Sequence, residues 1–454
     1  MKEKYNLLET DIQTLFLSYL LPGILGMMMV SAYVFVDTLC IGRALGGHGL
    51  AALNICTPII SIFYATGFLF STGGAAAYSV LIGQKNHHTA DKVYTLALKS
   101  SIIIGILYSI FGLIFSNSLA SFLGATPSNI EITKEYMNVI LLVAPVFIID
   151  ILLNVFVRND GAPKVSMIAT ICCGSLNIIL DILFIFGFGW GMFGAAFATS
   201  LSGVLSVCIL FSYTLSKNSK LKLVKTKWEF SLIKRIVFNG AGSFILEASV
   251  AIVIIVFNLT MLKLAGELGV SAYSIIANLN IVIFSIFMGI SQALQPIISI
   301  NYGAKLTSRI SKVSKLGILS ATILGVIFLI IGELFSHQLA SLFVKNDTNL
   351  INMAAEGIQI YFIAYIMMGI NIVLNTYYQA IEKPIQSLCI SSGRGLVYVL
   401  ACVWILPRFF NITGVWMSVP VAEFLTLLTA LTFLVFTKTK NKIENNNTYK
   451  LSSE

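Results

Sequence analysis

About twelve apolar runs, each reaching the roughly 20 residues that an α-helix needs to cross hydrocarbon, constrain this chain more than any other feature. They lie near 13–37, 49–83, 96–116, 136–157, 165–187, 191–215, 236–261, 271–300, 315–336, 354–380, 385–407 and 413–437. Several exceed the bilayer's need, which implies tilt or extension into water. Only 11% of the 454 residues are charged and 57% are hydrophobic, whereas a soluble domain carries about a quarter charged residues. A water-soluble globule could not hide this much apolar surface, so the chain is a polytopic membrane protein. The apolar/polar alternation of a membrane β-barrel is absent. The expected fold class is all-α, with twelve transmembrane helices.

Charge placement predicts orientation. With the N-terminus inside, the inner segments are rich in Lys and Arg, including Lys85, Lys92 and Lys99, then Arg158 and Lys164, then Lys217, Lys220, Lys222, Lys225, Lys227, Lys234 and Lys305. The tail adds Lys438, Lys440, Lys442 and Lys450. The outer segments hold only Arg43, Lys134, Lys263, Lys345 and Arg408, and Arg394 falls within a span. Of 29 basic residues, 5 lie outside and 1 in a span, leaving 23 inside. The positive-inside rule therefore predicts a multi-pass plasma (inner) membrane protein with both termini cytoplasmic. The net charge of +9 follows from that topology and calls for no nucleic-acid partner. The first run has no small-residue cleavage site and reads as a span, not as a removable signal peptide. The seven cysteines fall in or at the ends of apolar runs and read as packing thiols; adjacent Cys172 and Cys173 do not have redox or metal spacing.

The chain repeats itself. LGGHGLAALNI (45–55) aligns with AGELGVSAYSI (265–275), so Gly46, Gly49, Ala52 and Ile55 recur 220 residues later as Gly266, Gly269, Ala272 and Ile275. NVFVRNDGAPK (154–164) aligns with NTYYQAIEKPI (375–385), so Asn154, Pro163 and Gly174 recur 221 later as Asn375, Pro384 and Gly395. An even number of spans per half makes the repeat parallel, related by an axis along the membrane normal. The expected organisation is a six-helix bundle over 1–215, a basic cytoplasmic linker over 216–235, a second six-helix bundle over 236–437 and a cytoplasmic tail over 438–454. Two like bundles enclose a central cleft, and rocking one against the other opens it to alternate sides.

No GxxxxGK[ST] loop, HExxH or Cys/His cluster is present, and His48, His87, His88 and His337 sit in loops or span ends. No nucleophile–base set can be assembled, so an enzyme is not expected and no cofactor is implied. Uphill movement would draw on an ion gradient.

Acidic residues inside spans are few: Asp37, Asp150, Asp181, Glu247 and Glu423. A carboxylate at mid-membrane costs about 2.5–3.5 kcal/mol on insertion scales and commonly faces a bundle interior or cavity. In NIILDILFIFGF (177–188), Asn177 and Asp181 stand one turn apart and share a face. Asp37 ends the first span, which Pro22 can bend, and Thr199 and Ser200 interrupt the sixth. Together they make an oxygen-rich pocket suited to a hard monovalent cation or a proton.

The motifs VDTLCIGRALG (36–46) with LAA shortly after, RNDGAPKVS (158–166) and GSLNIILDILFIFGFGWGMFGAAFATSLS (174–202) make the chain resemble the multidrug and toxic compound extrusion (MATE) family over essentially its full length. The resemblance implies a cation-coupled (H+ or Na+) antiporter that exports organic cations and lipophilic small molecules. It places the coupling-ion site at Asp37, Asn177, Asp181 and Thr199, with Tyr136, Asn154 and Pro22 nearby, and a Na+ ion would sit on the first four. It also points to a possible second-bundle site at Glu247 and Glu423. The tenth-span acidic partner of some branches is missing, since NIVLNTYYQA offers Asn375. Glu423 matches the MepA-like branch.

By span position, the cleft wall is expected to include Met27, Met28, Met29, Tyr33, Tyr64, Phe68, Phe70, Gln292 and Gln295, because methionines and aromatic rings suit varied lipophilic cations. Gln295-Pro296 marks an expected bend. The alternatives are a lipid-linked precursor flippase of the same superfamily and a membrane receptor or scaffold that moves nothing. A flippase needs cationic cleft residues, and Arg394 is the one deep basic residue this reading finds. The bilayer and small organic cations are the expected partners, and nothing calls for more than a monomer.

Overall fold

The computed structural model describes residues 6–344 and 347–451, those from 436 onward by backbone alone. Lys345, residues 452–454 of the expected tail and the tail lysine side chains lie outside that description. Helix α1 runs Ile12–Gly83 over 72 residues. At about 1.5 Å per residue it would extend roughly 108 Å, over three times the hydrocarbon thickness. It is therefore two spans, and the break falls at Gly46, whose φ of 61° and ψ of −148° leave the helical region. A side chain would strain that conformation, and glycine adopts it freely.

Helices α2 (His87–Ile114), α3 (Ser116–Phe122), α4 (Ile130–Leu142), α5 (Ala144–Asn159), α6 (Pro163–Asp181) and α7 (Gly191–Thr214) complete the first half. Helix α8 (Phe230–Gly303) opens the second and breaks at Gly266 with φ 61° and ψ −152°. Helices α9 (Thr307–Ser341), α10 (Thr348–Phe362), α11 (Ala364–Ala380), α12 (Pro384–Ser392), α13 (Tyr398–Ile405) and α14 (Pro407–Leu451) follow. The pairs α4–α5 and α10–α11 are single spans bent by 52° and 43°. A π-helical turn extends α6 over Ile182–Gly187, and another joins α12 to α13 over Gly393–Val397. With each arm of α1 and α8 counted, twelve spans result, as the hydropathy predicts. Among the described residues there are no strands.

The repeat is written into the backbone. Residues with left-handed φ recur in pairs: Gly46 with Gly266, Lys85 with Lys305, Gly161 with Glu382 and Gly191 with Asn411, at offsets of 220 or 221. Side-chain bonds repeat as well. Asn154 bonds Ser166 and Thr170, while Asn375 accepts from Ser387 and Ser391. The backbone stays helical through Pro22 and Pro296, so the expected bend at Gln295-Pro296 is not a break in the helix; the breaks fall at glycine.

The bundles meet along α1 and α8, and small residues let the backbones touch. A Cβ on Gly83 would overlap the Ile300 carbonyl, and one on Gly303 would overlap the Val80 carbonyl. These clashes mirror each other, so the pseudo-twofold axis passes between the two glycines. Gly73 with Gly240 and Gly23 with Gly289 extend the seam. It lies toward the side on which Leu7 and Thr10 bond Asn301 and Arg309.

Each bundle is also strapped by chain from the other half. Arg309 donates to the carbonyls of Leu7 and Thr10, docking the N-terminal segment on the second bundle. The segment between α7 and α8 docks on the first. Asp160 accepts from the Ser219 hydroxyl and the Lys220 amide, both at 2.9 Å, and Lys92 pairs with Glu229 at 2.7 Å. Helix α8 begins at Phe230, so the last residues of the expected linker are helical.

Overpacking a tight contact costs about 1–3 kcal/mol. Gly83→Val is accordingly expected to shift the population roughly tenfold away from this closed seam. The check is maleimide labelling, from the terminal side, of a single cysteine at Gln295, which should rise in the variant.

Candidate functional site

Deep in the first bundle, α1, α6 and α7 bring four oxygen-bearing side chains together. Asn177 and Asp181 are fully buried on one face of α6. Asp37 comes from the first arm of α1, and its carboxyl lies within hydrogen-bonding reach of that of Asp181. The Asn177 amide donates to Thr199 Oγ1 at 3.2 Å, and Thr199 in turn donates to the Ala195 carbonyl at 3.0 Å. With the amide nitrogen engaged, Asn177 Oδ1 is left facing the site. It has no hydrogen-bond partner, and neither do both Asp181 oxygens or Asp37 Oδ1. Tyr136, 2% exposed, stands beside the two carboxylates. The π turn begins directly after Asp181, and such turns concentrate at functional sites.

Among the described residues, the second bundle has no such cluster. The repeat offset carries Asp37 to Phe257, Asn177 to Tyr398 and Asp181 to Cys402. Phe257 is fully buried and stacks on Tyr273 at 4.8 Å, while the Tyr398 hydroxyl bonds Thr429 at 2.8 Å. One fold position therefore holds bare oxygens in one half and satisfied packing in the other.

A cavity of about 320 Å³ lies between the bundles. The first bundle contributes Pro22, Met27, Tyr33, Tyr64, Phe68, Asp150, Asn154 and Arg158, and the second contributes Glu247, Phe284, Met288 and Gln292. Asp37, Asn177, Asp181 and Thr199 stand outside its wall. A smaller pocket of about 60 Å³ shares Arg158, Glu247 and Gln292 and continues to Gln295, Gln379 and Arg394.

Several expected positions change. Met28 is 44% exposed and outside the cavity wall. Consecutive helical residues point about 100° apart, so Met27 faces inward and Met28 does not; the Met27 sulfur accepts from Gln292. Met29 packs on Gly174, and Phe70 is buried in the first bundle's core. Pro22 and Asn154 line the cavity, and Asn154 bonds Thr170 and Ser166, away from the Asp37 cluster. Glu423, unlike Asp37 and Asp181, is partnered within the protein. It pairs with Arg394 at 2.7 Å and accepts from Asn371, all three buried. Arg394 is thus neutralised in place.

Arg158 needs the largest correction. It is no loop charge: it is 5% exposed, lines both cavities and donates to Gln292 across the bundle interface at 2.7 Å. The spacing of Asp150, Asn154 and Arg158 at i, i+4 and i+8 held the signal, a polar stripe that continues past the expected span end.

Twelve spans in two like bundles, an interbundle cavity and one asymmetric acidic pocket define a two-bundle membrane transporter fold. A family model for MatE matches residues 22–183 and again 241–404, once per half. The chain belongs to the MATE family. It is 27% identical to the multidrug export protein MepA of Staphylococcus aureus (strain bovine RF122 / ET3-1) over 435 residues, 95% of each chain. It is 25% identical to MepA of Staphylococcus saprophyticus over 412 residues, 90% of each. Solved structures share the fold. A MATE crystal structure in complex with MaL6 superposes with a TM-score of 0.90 at 21% identity, covering 97% of this chain and 98% of that one. The outward-facing form of a multidrug resistance MATE family transporter gives 0.89 at 22% identity, with 97% and 98% covered.

Breaking a buried ion pair by removing one partner costs about 3–5 kcal/mol, whereas replacing both with apolar residues can be neutral. Glu423→Leu alone should therefore lower the thermal stability of the detergent-solubilised protein markedly. Adding Arg394→Met should restore most of the loss.

Proposed function

We propose that this protein exports small organic cations and lipophilic molecules by alternating access. The drive is inward flow of a monovalent cation, H+ or Na+, bound at Asp37, Asn177 and Asp181 with Thr199. The observation that carries the reading is the set of unpartnered buried oxygens on Asp37, Asn177 and Asp181. An unsatisfied polar group away from water is costly, and such a group within a membrane is a functional site by default. A cation or proton supplies the missing partner. The names of the MepA relatives support multidrug export as the task.

The separation of ion cluster and cavity supports indirect competition. Tyr33 and Asp37 stand one turn apart on the first arm of α1, so that arm carries both a cavity wall and an ion ligand. Cation binding at Asp37 and Asp181 draws the arm toward α6 and narrows the cavity. Termini in the cytoplasm, as the basic residues predict, make the glycine seam the inner barrier and this conformation outward-facing.

The test is ethidium export from proteoliposomes under a proton gradient or a sodium gradient imposed separately. One of the two gradients alone should drive flux, and which one does so identifies the ion. Asp37→Asn should insert and fold normally yet lose at least about tenfold of the flux, the effect of one lost contact of 1.4 kcal/mol or more. Flux under neither gradient overturns the reading and favours the flippase or the non-transporting receptor.

A further inference from the structure

We propose that Arg158 is the oxyanion-recognising residue of the cavity, and that with Asp150 it selects dipolar amphiphiles, cationic at one end and carboxylate or phosphate at the other. This rests on the reading of the cavity as the substrate cleft. Arg158 is 5% exposed, yet its Nε has no hydrogen-bond partner. The guanidinium gives one N–H to the neutral Gln292 at 2.7 Å. Among the described residues, no carboxylate pairs with it, whereas Arg394 has Glu423 and Arg235 has Glu382. A buried charge without a counter-charge costs several kcal/mol. A guanidinium's planar fork fits a carboxylate or phosphate with two parallel bonds.

The repeat separates this role from simple closure of the seam. The offset of 221 carries Arg158 to Gln379, and the offset of 220 carries Thr72 to Gln292. Gln379 donates to Thr72 at 3.1 Å, the mirror of Arg158 to Gln292. A neutral amide thus bridges the bundles in one half, so bridging does not require a cation in the other.

Asp150, Asn154 and Arg158 form one stripe on α5, all three in the cavity wall. Eight residues of helix separate the charges by about 12 Å. Asp150 Oδ1 is buried without a partner, and Glu247 faces the same space from the second bundle. Tyr33, Tyr64, Phe68 and Met288 supply apolar wall between. A plain cation leaves Arg158 without a counter-charge, and a plain anion leaves Asp150 and Glu247 without one. A dipolar molecule with an apolar body satisfies both ends. The headgroup of a zwitterionic phospholipid, with two carbons between phosphate and ammonium, is too short to reach both.

The test compares rhodamine B, a carboxylate-bearing zwitterion, with its ethyl ester, a fixed cation of nearly the same shape. Binding to the purified full-length protein is read by fluorescence anisotropy. The wild type should bind the acid more tightly than the ester. Arg158→Gln should weaken acid binding about tenfold, some 1.4 kcal/mol, and leave the ester within about twofold; Arg158→Lys should recover part of the loss. Equal loss for both dyes, or no loss for the acid, overturns the assignment. So does a wild type that binds the ester as tightly as the acid, a result independent of how any variant folds. If ethidium still follows a gradient while the rhodamine pair ignores Arg158, this assignment falls and the export reading stands.

Discussion

Within hydrocarbon there is no water to satisfy a polar group, so each one must find its partner in the protein or in something the protein binds. That constraint sorts this molecule's interior. Glu423 with Arg394, Glu382 with Arg235 and Asn239, and the paired Asn154 and Asn375 clusters are all closed accounts of hydrogen bonds. Asp37, Asn177, Asp181, Asp150 and Arg158 are among the groups that keep buried atoms without partners. The first group holds helices together, and the second lines the cavity and the acidic pocket to which the proposals above assign ligand and ion. Neither exposure nor hydropathy separates the groups, since Arg394 and Arg158 are both buried.

The repeat makes the distinction sharper, because each half serves as a control for the other. Backbone features that the fold needs occur twice: the glycine breaks, the left-handed loop residues and the Asn–Ser clusters. Features that occur once have been spared by the fold's requirements. The carboxylate pocket gives way to Phe257, Tyr398 and Cys402, and the arginine gives way to Gln379. Asymmetry in a symmetric scaffold therefore selects candidate sites more sharply than burial does.

Much of this was legible before any coordinates. Span number, the parallel repeat and the shared face of Asn177 and Asp181 follow from hydropathy, offset and helical period. What escaped were matters of direction and partnership. Met27 and Met28 are equivalent in a hydropathy plot, and only packing tells which faces the cavity. Glu423 and Arg394 are 29 residues apart, so no local pattern announces their bond. Arg158 lies on α5 beyond the last apolar residue of its run, so a span that ends at its first charge leaves it outside. The break at Gly46 was in view as a repeated glycine, but its left-handed backbone was not.

The architecture also limits how the two sites communicate. The acidic pocket is not part of the cavity wall, so cation and substrate need not touch to exclude one another. What they share is the first arm of α1, which runs from the seam glycine Gly23 past Met27 and Tyr33 in the cavity to Asp37 in the pocket. A helix is stiff over these few turns, so a shift of its Asp37 end displaces the wall and loads the seam together. The glycine contacts leave that seam no slack, because a close-packed interface accommodates motion by switching between packings and not by gradual deformation. On the proposed export reading, bundle closure on one side and ion occupancy in the first bundle would be joined by this single element, and the second bundle, which among the described residues has no matching acidic pocket, would supply the surface against which it moves.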